Sequence, residues 1–342
     1  MAKRRRAGGW AGIVSRSVKA LARLVPAPPR RPAKPVVRRP AAKAPPAKRP
    51  TGRAGDWLSG IALGPAGARR YRLFRPPGIG RSDKLPLLVM LHGCGQDAEA
   101  FAASTRMNAI AVRERFLVLY PEQDKLSNAQ GCWNWFATRS GRARGEAATI
   151  LAAIDQACAL HRADPARVAV AGLSAGASMA ALLAVSHPSR FAAVAMHSGV
   201  GPGMAQSSAT ALAAMQGRRR AAAIELADGA ALPPLLVIQG TADRVVAPSN
   251  GRAAVASWVD AAGAPVQASA PRRVQRGQRR AMDITDFKNR GRLVATLVEV
   301  AGLGHAWSGG AARQAFSDPT GPDSSRLVWA FADLQFARMA AG

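Results

Sequence analysis

One serine of the chain is flanked by glycines, in the segment Gly172-Leu173-Ser174-Ala175-Gly176. The apolar run Val168–Ala171 precedes this segment, and the small apolar residues Ala177–Ser186 follow it. A serine at a sharp turn from a strand into a helix exposes its hydroxyl, and the helix N-terminus stabilises developing negative charge. The pattern alone often arises by chance, but its place between a strand and a helix predicts a nucleophile at Ser174.

A serine hydroxyl is a weak nucleophile until a neighbouring base takes its proton. The chain contains five histidines. Only His305 comes late in the chain and lies on a glycine-rich loop, the segment 302–307, after an apolar strand pattern. The other four stand at strand or helix ends, where structural or capping roles are typical: His92, His161, His187 and His197. We therefore expect His305 to be the base, although His197 could also line the site.

An acidic side chain is needed to orient that base. The apolar run that begins at Leu235 continues into Gly240-Thr241-Ala242-Asp243, so Asp243 lies in the turn that leaves a buried strand. Aspartate in such a turn often has only a turn or capping role. The chain order serine, aspartate, histidine, however, is the order found in α/β-hydrolase triads. We expect Asp243 to complete a triad with Ser174 and His305.

The oxyanion of an acyl-transfer intermediate needs two N–H donors, one of them from a second strand exit. The first is the backbone N–H of Ala175, directly after the nucleophile. An early apolar run ends in Leu91-His92-Gly93-Cys94-Gly95-Gln96, and its two glycines suit an exposed main chain. We assign the second donor to the backbone N–H of Cys94. A thiol nucleophile at Cys94 is the alternative, but no separate base is paired with it.

These groups must be held by a sheet, because they follow short apolar runs that are typical of buried strands. The runs are Leu85–Leu91, Phe116–Tyr120, Arg167–Ala171, Ala192–Met196 and Leu235–Gln239. Helical patterns separate several of them: Gly145–His161, Ala175–His187 and Ser249–Ala262. Further expected elements are Arg69–Arg75 as an antiparallel edge strand, Arg292–Val300 as a strand and Asp323–Arg338 as a closing helix. This alternation predicts an α/β fold, a mostly parallel central sheet with helices on both faces.

Five ordered segments together resemble the motifs of the polyhydroxybutyrate-depolymerase-type esterases. They are Leu91–Gln96, Gly131-Cys132-Trp133-Asn134-Trp135-Phe136, Gly172–Gly176, Gly240–Asp243 and Gly304-His305-Ala306-Trp307. The resemblance extends from about Leu85 to the C-terminus. It implies an α/β-hydrolase fold and serine-esterase chemistry on short-chain hydroxyalkanoate polyesters, with feruloyl and acetylxylan esterases as relatives.

The family's nucleophile, acid and base correspond to Ser174, Asp243 and His305. Related chains often have histidine just before the Gly-Thr-Ala-Asp turn, where this chain has Gln239, and that difference leaves the triad intact. The family's usual export implies an extracellular location. A cytoplasmic, granule-associated location is the alternative.

Three of the seven tryptophans lie in two of the motif loops: Trp133, Trp135 and Trp307. Such residues either fill a small core or present an apolar wall to a ligand. We expect all three to contact substrate, with the core alternative open for Trp133 and Trp135. An uncharged wall suits a polyester segment better than a charged substrate.

Two of the three cysteines, Cys94 and Cys132, lie in loops of the expected site. A disulfide between them and a pair of free thiols in a reducing cytosol are both open. Cys158 is expected to be buried and inert on the apolar face of a helix.

The charge of the chain is concentrated at its start. Of 48 Lys and Arg residues in 342, 15 lie in the first 50 residues, which contain no acid, and the formal net charge of the chain is +28. Residues 1–25 predict a basic amphipathic helix that contacts a polyester granule or an anionic surface. An export signal and an inert leader are the alternatives. Residues 26–54 are rich in proline and arginine and predict a disordered linker, and residues 55–342 predict the catalytic domain.

Other functional classes lack support in the sequence. No apolar run is long enough for a transmembrane helix. There are no metal-binding or nucleotide-binding motifs, so we expect no metal and no cofactor. The basic segment 272–292 lacks interleaved aromatic residues, so we expect a solvated hairpin there and no nucleic-acid partner.

Overall fold

A computed structural model of the chain describes residues 55–80, 82–220, 222–226, 230–263 and 265–341. The strands are β1 (Asp56–Gly64), β2 (Gly67–Arg75), β3 (Leu85–Leu91), β4 (Leu117–Pro121), β5 (Ala163–Leu173), β6 (Ala193–His197), β7 (Leu235–Gly240), β8 (Gln267–Ala268), β9 (Arg272–Val274), β10 (Met282–Asn289), β11 (Arg292–Val300), β12 (Trp307–Ser308) and β13 (Ser317–Asp318). The α-helices are α1 (Ala98–Thr105), α2 (Met107–Glu114), α3 (Arg142–His161), α4 (Ala175–Ser186), α5 (Ser208–Met215), α6 (Ser249–Ala261) and α7 (Ser324–Ala341). A 3₁₀ turn spans Pro188–Arg190.

One large sheet organises these elements. Its strand order is β1-β2-β4-β3-β5-β6-β7-β11-β10-β8, with β9 also paired to β10. The run from β4 to β11 is parallel, whereas β1, β2 and β10 are antiparallel to their neighbours. The mostly parallel sheet that the apolar runs predict is therefore confirmed. Its parallel strands all end at the same margin, where the candidate residues follow them.

Helices cover both faces of the sheet, because the central strands have no polar face to leave in water. Every residue of β3, β6 and β7 is buried. One face packs against α3, α4 and α6 in a cluster that includes Ile150, Leu183 and Trp258. The other packs against α1, α2 and α7 in a cluster that includes Phe101 and Trp329. The sheet is therefore packed between two apolar cores, one on each face.

The margins of the sheet differ from expectation. Residues Arg69–Arg75 were expected to form an edge strand, but β2 pairs with β1 on one side and with β4 on the other. The segment 272–292 is not a solvated hairpin on its own, because β9, β10 and β8 extend the main sheet. Part of its positive charge is paired, since Arg272 contacts Asp286 at 3.1 Å and Arg273 contacts Asp283 at 3.3 Å.

The predicted segments 1–25 and 26–54 lie outside the described residues, and so does the surface contact expected of the first of them. The third predicted segment, 55–342, contains all the strands and helices named above. Among the described residues, none of the helices is long and apolar enough to cross a membrane.

Candidate active site

The backbone turns sharply at Ser174, between β5 and α4. Ser174 has φ 56° and ψ −121°, a conformation that costs a residue with a side chain roughly 1–3 kcal/mol. Its N–H donates to the carbonyl oxygen of His197, the last residue of β6, at 2.9 Å. This bond holds the turn against the sheet while the serine side chain stays partly exposed. The geometry is that of a nucleophile elbow.

The two glycines of the motif allow α4 to begin directly against the end of β3. A Cβ at Gly176 would overlap the carbonyl oxygen of Leu91, and a Cβ at Gly172 would overlap the backbone of Gly176. A side chain at either position would push the helix N-terminus away from the sheet. The spacing of the glycines around Ser174 is therefore a packing requirement as well as a sequence pattern.

The carboxylate of Asp243 is buried in the turn after β7. Its Oδ1 accepts hydrogen bonds from the N–H groups of Val245 and Val246, each at 2.9 Å, and Gln239 Nε2 donates to Oδ2 at 3.4 Å. Burial alone raises the pKa of Asp243. The hydrogen bond and charge of His305 together with the two backbone N–H groups outweigh burial and hold this pKa below its ordinary value. Asp243 is thus a carboxylate at neutral pH.

Parallel register brings His305 to this carboxylate. Strands β7 and β11 are neighbours, with Gly240 opposite Val300, and the loop after each strand carries one of the two side chains. His305 Nδ1 lies 2.8 Å from Asp243 Oδ2. With Nδ1–H donating to the carboxylate, Nε2 is left to accept a proton. Among the hydrogen bonds of the described residues, none joins the Ser174 hydroxyl to His305.

Two backbone N–H groups near the elbow are unused. Neither Cys94 nor Ala175 donates a backbone hydrogen bond within the described ranges. Ala175 opens α4, where an N–H has no intrahelical acceptor. The loop of Cys94 is held by Gly93, whose N–H donates to Gln96 Oε1 at 3.1 Å, and by a disulfide to Cys132. These donors are available to an oxyanion.

A buried polar network lies behind this loop. Glu146 of α3 accepts hydrogen bonds from Gln123 Nε2 at 2.8 Å and from the Asn134 N–H at 2.9 Å. The N–H of Gln123 donates to His92 Nε2 at 3.0 Å. Glu146 and Gln123 could not be recognised from the sequence, because one acid in a helix and one amide in a loop have no diagnostic spacing. The network ties the loops after β3 and β4 to each other.

The three tryptophans expected to contact substrate lie in the interior instead. Trp133 and Trp307 have no exposed surface, and Trp135 is 8% exposed. Trp307 Nε1 donates to Ser325 Oγ at 3.0 Å, so its polar edge has a buried partner. The expectation that these tryptophans present an apolar wall to the substrate therefore requires correction. Trp133 and Trp307 fill the core, and in the loop of Trp133 and Trp135 the half-buried Phe136 is the aromatic residue most open to solvent.

The buried histidines His92 and His197 make the protein sensitive to mild acid. Burial lowers the pKa of His92 to about 4 and that of His197 to about 3. The unfolded chain takes up both protons below about pH 6.5, and the folded chain does not, so stability is complete above that pH and falls as the pH decreases. At about 1.4 kcal/mol per pH unit and group, we expect the free energy of unfolding to fall by about 4 kcal/mol between pH 7 and pH 5 in urea titrations.

This window isolates the histidines, because the pKa of Asp243 is held below its ordinary value of 3.8 and its contribution is lost only at lower pH. As a control, His161→Gln changes a half-exposed histidine at the end of α3 and should keep most of the pH dependence. A free energy of unfolding that is the same at pH 7 and pH 5 would contradict the expected acid sensitivity from His92 and His197.

Together, the candidate residues suit one type of reaction. A serine at a helix N-terminus, a histidine bonded to a carboxylate and two unused N–H donors stand at the carboxyl ends of parallel strands of one sheet. This arrangement suits acyl transfer through a covalent intermediate. Within the described residues, no cluster of three or more His, Cys, Asp or Glu side chains could hold a metal ion.

Comparison with protein families gives a match over most of the sheet. The family model described as "Esterase PHB depolymerase" matches residues 69–281. Poly(3-hydroxyalkanoate) depolymerase C of Paucimonas lemoignei is 35% identical over 189 residues, which are 52% of this chain and 45% of the relative. Feruloyl esterase B of Neurospora crassa is 35% identical over 119 residues, 34% of this chain and 40% of the relative. The chain thus spans less than half the length of these curated relatives.

A solved structure supports the fold. Acetyl xylan esterase from Aspergillus awamori superposes with a TM-score of 0.58, over 73% of this chain and 93% of that one, at 18% sequence identity. At this identity the likeness concerns the fold alone, and it confirms the expected α/β-hydrolase class.

Proposed function

Because the chain belongs to the Esterase PHB depolymerase family, we propose that it hydrolyses short-chain hydroxyalkanoate polyesters, of the poly(3-hydroxybutyrate) type, or their oligomers. The reaction proceeds through a Ser174–His305–Asp243 triad and an acyl-enzyme. The observation that supports this most directly is the 2.8 Å contact between His305 Nδ1 and Asp243 Oδ2, in a sheet whose strand β5 leads to the sharp turn at Ser174.

In the first half-reaction His305 Nε2 takes the hydroxyl proton of Ser174 as the oxygen attacks the ester carbonyl. The tetrahedral oxyanion accepts hydrogen bonds from the N–H groups of Cys94 and Ala175. Asp243 keeps Nδ1–H of the imidazole oriented and stabilises the imidazolium. His305 then gives its proton to the departing alkoxide, which leaves as an alcohol, and Ser174 is acylated.

In the second half-reaction water attacks the acyl-enzyme while the same imidazole takes its proton. The intermediate collapses, His305 returns the proton to Ser174, and the carboxylic acid leaves. Both half-reactions use the same two N–H donors.

The polyester assignment is supported by the relative named a poly(3-hydroxyalkanoate) depolymerase. A carboxylesterase of small, feruloylated or acetylated esters is the second candidate, supported by relatives named feruloyl and acetylxylan esterases. The internal position of Trp133 and Trp307 removes one argument for a polymer-binding wall.

The test measures acid release by the purified protein from amorphous poly(3-hydroxybutyrate) and from p-nitrophenyl butyrate. We expect release from both. Turnover of the soluble ester alone would replace the depolymerase by the small-ester carboxylesterase. Adsorption to polyester granules without turnover of either ester would favour a surface-binding protein on a hydrolase scaffold, with residues 1–25 as the contact.

The disulfide between Cys94 and Cys132 supports an oxidising compartment for this enzyme, and we propose an extracellular location. Thiol labelling of protein taken directly from its native compartment checks this. The protein is unfolded without reductant before labelling, so that the half-buried Cys158 is accessible. One labelled thiol is expected, and three labelled thiols would favour the cytoplasmic alternative.

A further inference from the structure

His197 contacts both halves of the proposed triad, although it belongs to neither. It is the last residue of β6, the strand between the one that leads to Ser174 and the one that leads to Asp243. Its carbonyl oxygen accepts the N–H of Ser174 at 2.9 Å. The main chain of His197 therefore holds the nucleophile elbow.

The ring of the same residue holds the loop of the base. Nε2 of His197 accepts the N–H of Ser308 at 3.1 Å, and the ring stacks on Trp307 with centroids 5.0 Å apart. Both partners follow closely after His305 in the chain. Trp307 is itself locked by its hydrogen bond to Ser325, so the ring of His197 packs against a rigid wall.

The ring can act in this way only as a neutral imidazole with Nε2 unprotonated. The backbone N–H of Ser308 can only donate, so Nε2 must be unprotonated and the neutral ring carries its proton on Nδ1. Nδ1–H then donates to Ser198 Oγ at 3.2 Å. His197 is 1% exposed. Burial, and next the nearby His305, lower its pKa to about 3, while Asp243 acts in the opposite direction. Between pH 5 and pH 9 the acceptor is therefore always present.

We propose that His197 is a positioning residue, which sets the distance between Ser174 and His305 by binding the elbow through its carbonyl and the base loop through its ring. The inference rests on the proposed function of the triad. It assigns no proton transfer to His197. Its energetic basis is that a displacement of about 1 Å between reacting groups can lower the rate on the order of 100-fold.

Two substitutions separate the hydrogen bond from the ring. His197→Phe keeps an aromatic ring against Trp307 but removes the acceptor for Ser308. His197→Gln removes the ring but places a side-chain oxygen where it can accept that N–H. The matched control is His161→Gln, which makes the same change at the far end of α3, on no loop of the site. Turnover of p-nitrophenyl butyrate is measured per serine titrated with a fluorophosphonate, so that unfolded protein is not counted.

We expect His197→Phe to lower kcat about 10- to 100-fold with KM changed less than threefold, since the defect lies between nucleophile and base and not in ester binding. His197→Gln should recover at least fivefold of that loss, and His161→Gln should match the unchanged protein. Equal activity of His197→Phe and the unchanged protein would overturn the inference. Equal loss in both His197 variants would also overturn it, because an acceptor for the N–H of Ser308 would then recover no activity.

A measurement on the unchanged protein covers the case in which His197→Phe does not fold. Two-dimensional ¹⁵N–¹H spectra of the imidazoles should show a histidine signal with Nδ1 protonated and Nε2 unprotonated down to pH 5 that is absent in His197→Gln. His92, whose Nε2 accepts the N–H of Gln123, should give a second signal of this kind that remains in that variant. An Nε2-protonated or charged His197 at pH 5 would overturn the inference. If the unchanged protein fails to react with the fluorophosphonate, the proposed function fails instead, a result that is distinct from any of these.

Discussion

Ser174→Ala is expected to reduce ester turnover at least about 10⁴-fold, to the residual rate given by binding and the oxyanion donors alone. The substitution removes the attacking atom and nothing else from the elbow, because the N–H of Ser174 still donates to His197 and its carbonyl still accepts from Ser178 at 3.1 Å. Its side chain caps no N–H of α4. The fold should therefore be retained, and the loss should appear in kcat.

The matched control is Ser186→Ala, which removes the same hydroxyl group at the exposed C-terminal end of α4, far from the turn. Both variants are assayed on p-nitrophenyl butyrate and on amorphous poly(3-hydroxybutyrate), with far-ultraviolet circular dichroism to verify folding. Near-full hydrolysis by folded Ser174→Ala would exclude this serine as the nucleophile and with it the acyl-enzyme mechanism.

Asp243→Asn is expected to lower kcat on the order of 10⁴-fold while the protein stays folded. Oδ1 of Asp243 already accepts two backbone N–H groups, from Val245 and Val246. The amide oxygen of an asparagine takes that position, which turns its NH₂ group toward His305 Nδ1. The ring must then present an acceptor at Nδ1 and carry its proton on Nε2, which is the wrong tautomer for a base.

Asp333→Asn, on the exposed side of α7, makes the same change of charge away from the site and should be fully active. Single-turnover acylation, followed by release of p-nitrophenol, measures the step in which the base acts. If Asp243→Asn acylates within tenfold of the unchanged protein, another group orients the base.

The parts of the fold that the sequence predicts are those in which local patterns and tertiary packing agree. Strand β3 is buried along its whole length, and its apolar run has the same bounds as the strand. The proposed triad residues could be selected because they follow such runs. The contact between Asp243 and His305 then follows from the parallel pairing of β7 with β11, which places both loops at one margin of the sheet.

Such patterns could not predict whether an aromatic residue in a loop faces the core or the solvent. Trp307 is buried because its ring packs edge-on against Phe101, which is distant in the chain, and its N–H bonds to Ser325 at the start of α7. Only the folded sheet brings them together. The role of His197 is similarly invisible, since its partner Ser308 stands more than a hundred residues away.

The strands at the two margins of the sheet could not be predicted from the sequence, for a different reason. Strand β1 is largely open to solvent, with only Ala62 fully buried, so it lacks an apolar run. In the segment 272–292, arginines that read as a solvated charge cluster are partly paired with aspartates across β9 and β10. Paired charges on an exposed strand leave no periodic hydrophobic signal.

The extension formed by β8, β9 and β10 means that β11, whose loop carries His305, is an interior strand and not the last one. Opening of a protein by thermal fluctuation begins at strands that are hydrogen-bonded on one side only, so fraying concentrates at β1, β8 and β9. Strands β5, β7 and β11 each have neighbours on both sides. The sheet can therefore lose its outermost pairings while the strands that set the proposed catalytic geometry stay closed, and the lifetime of that geometry is tied to the central sheet and not to its rims.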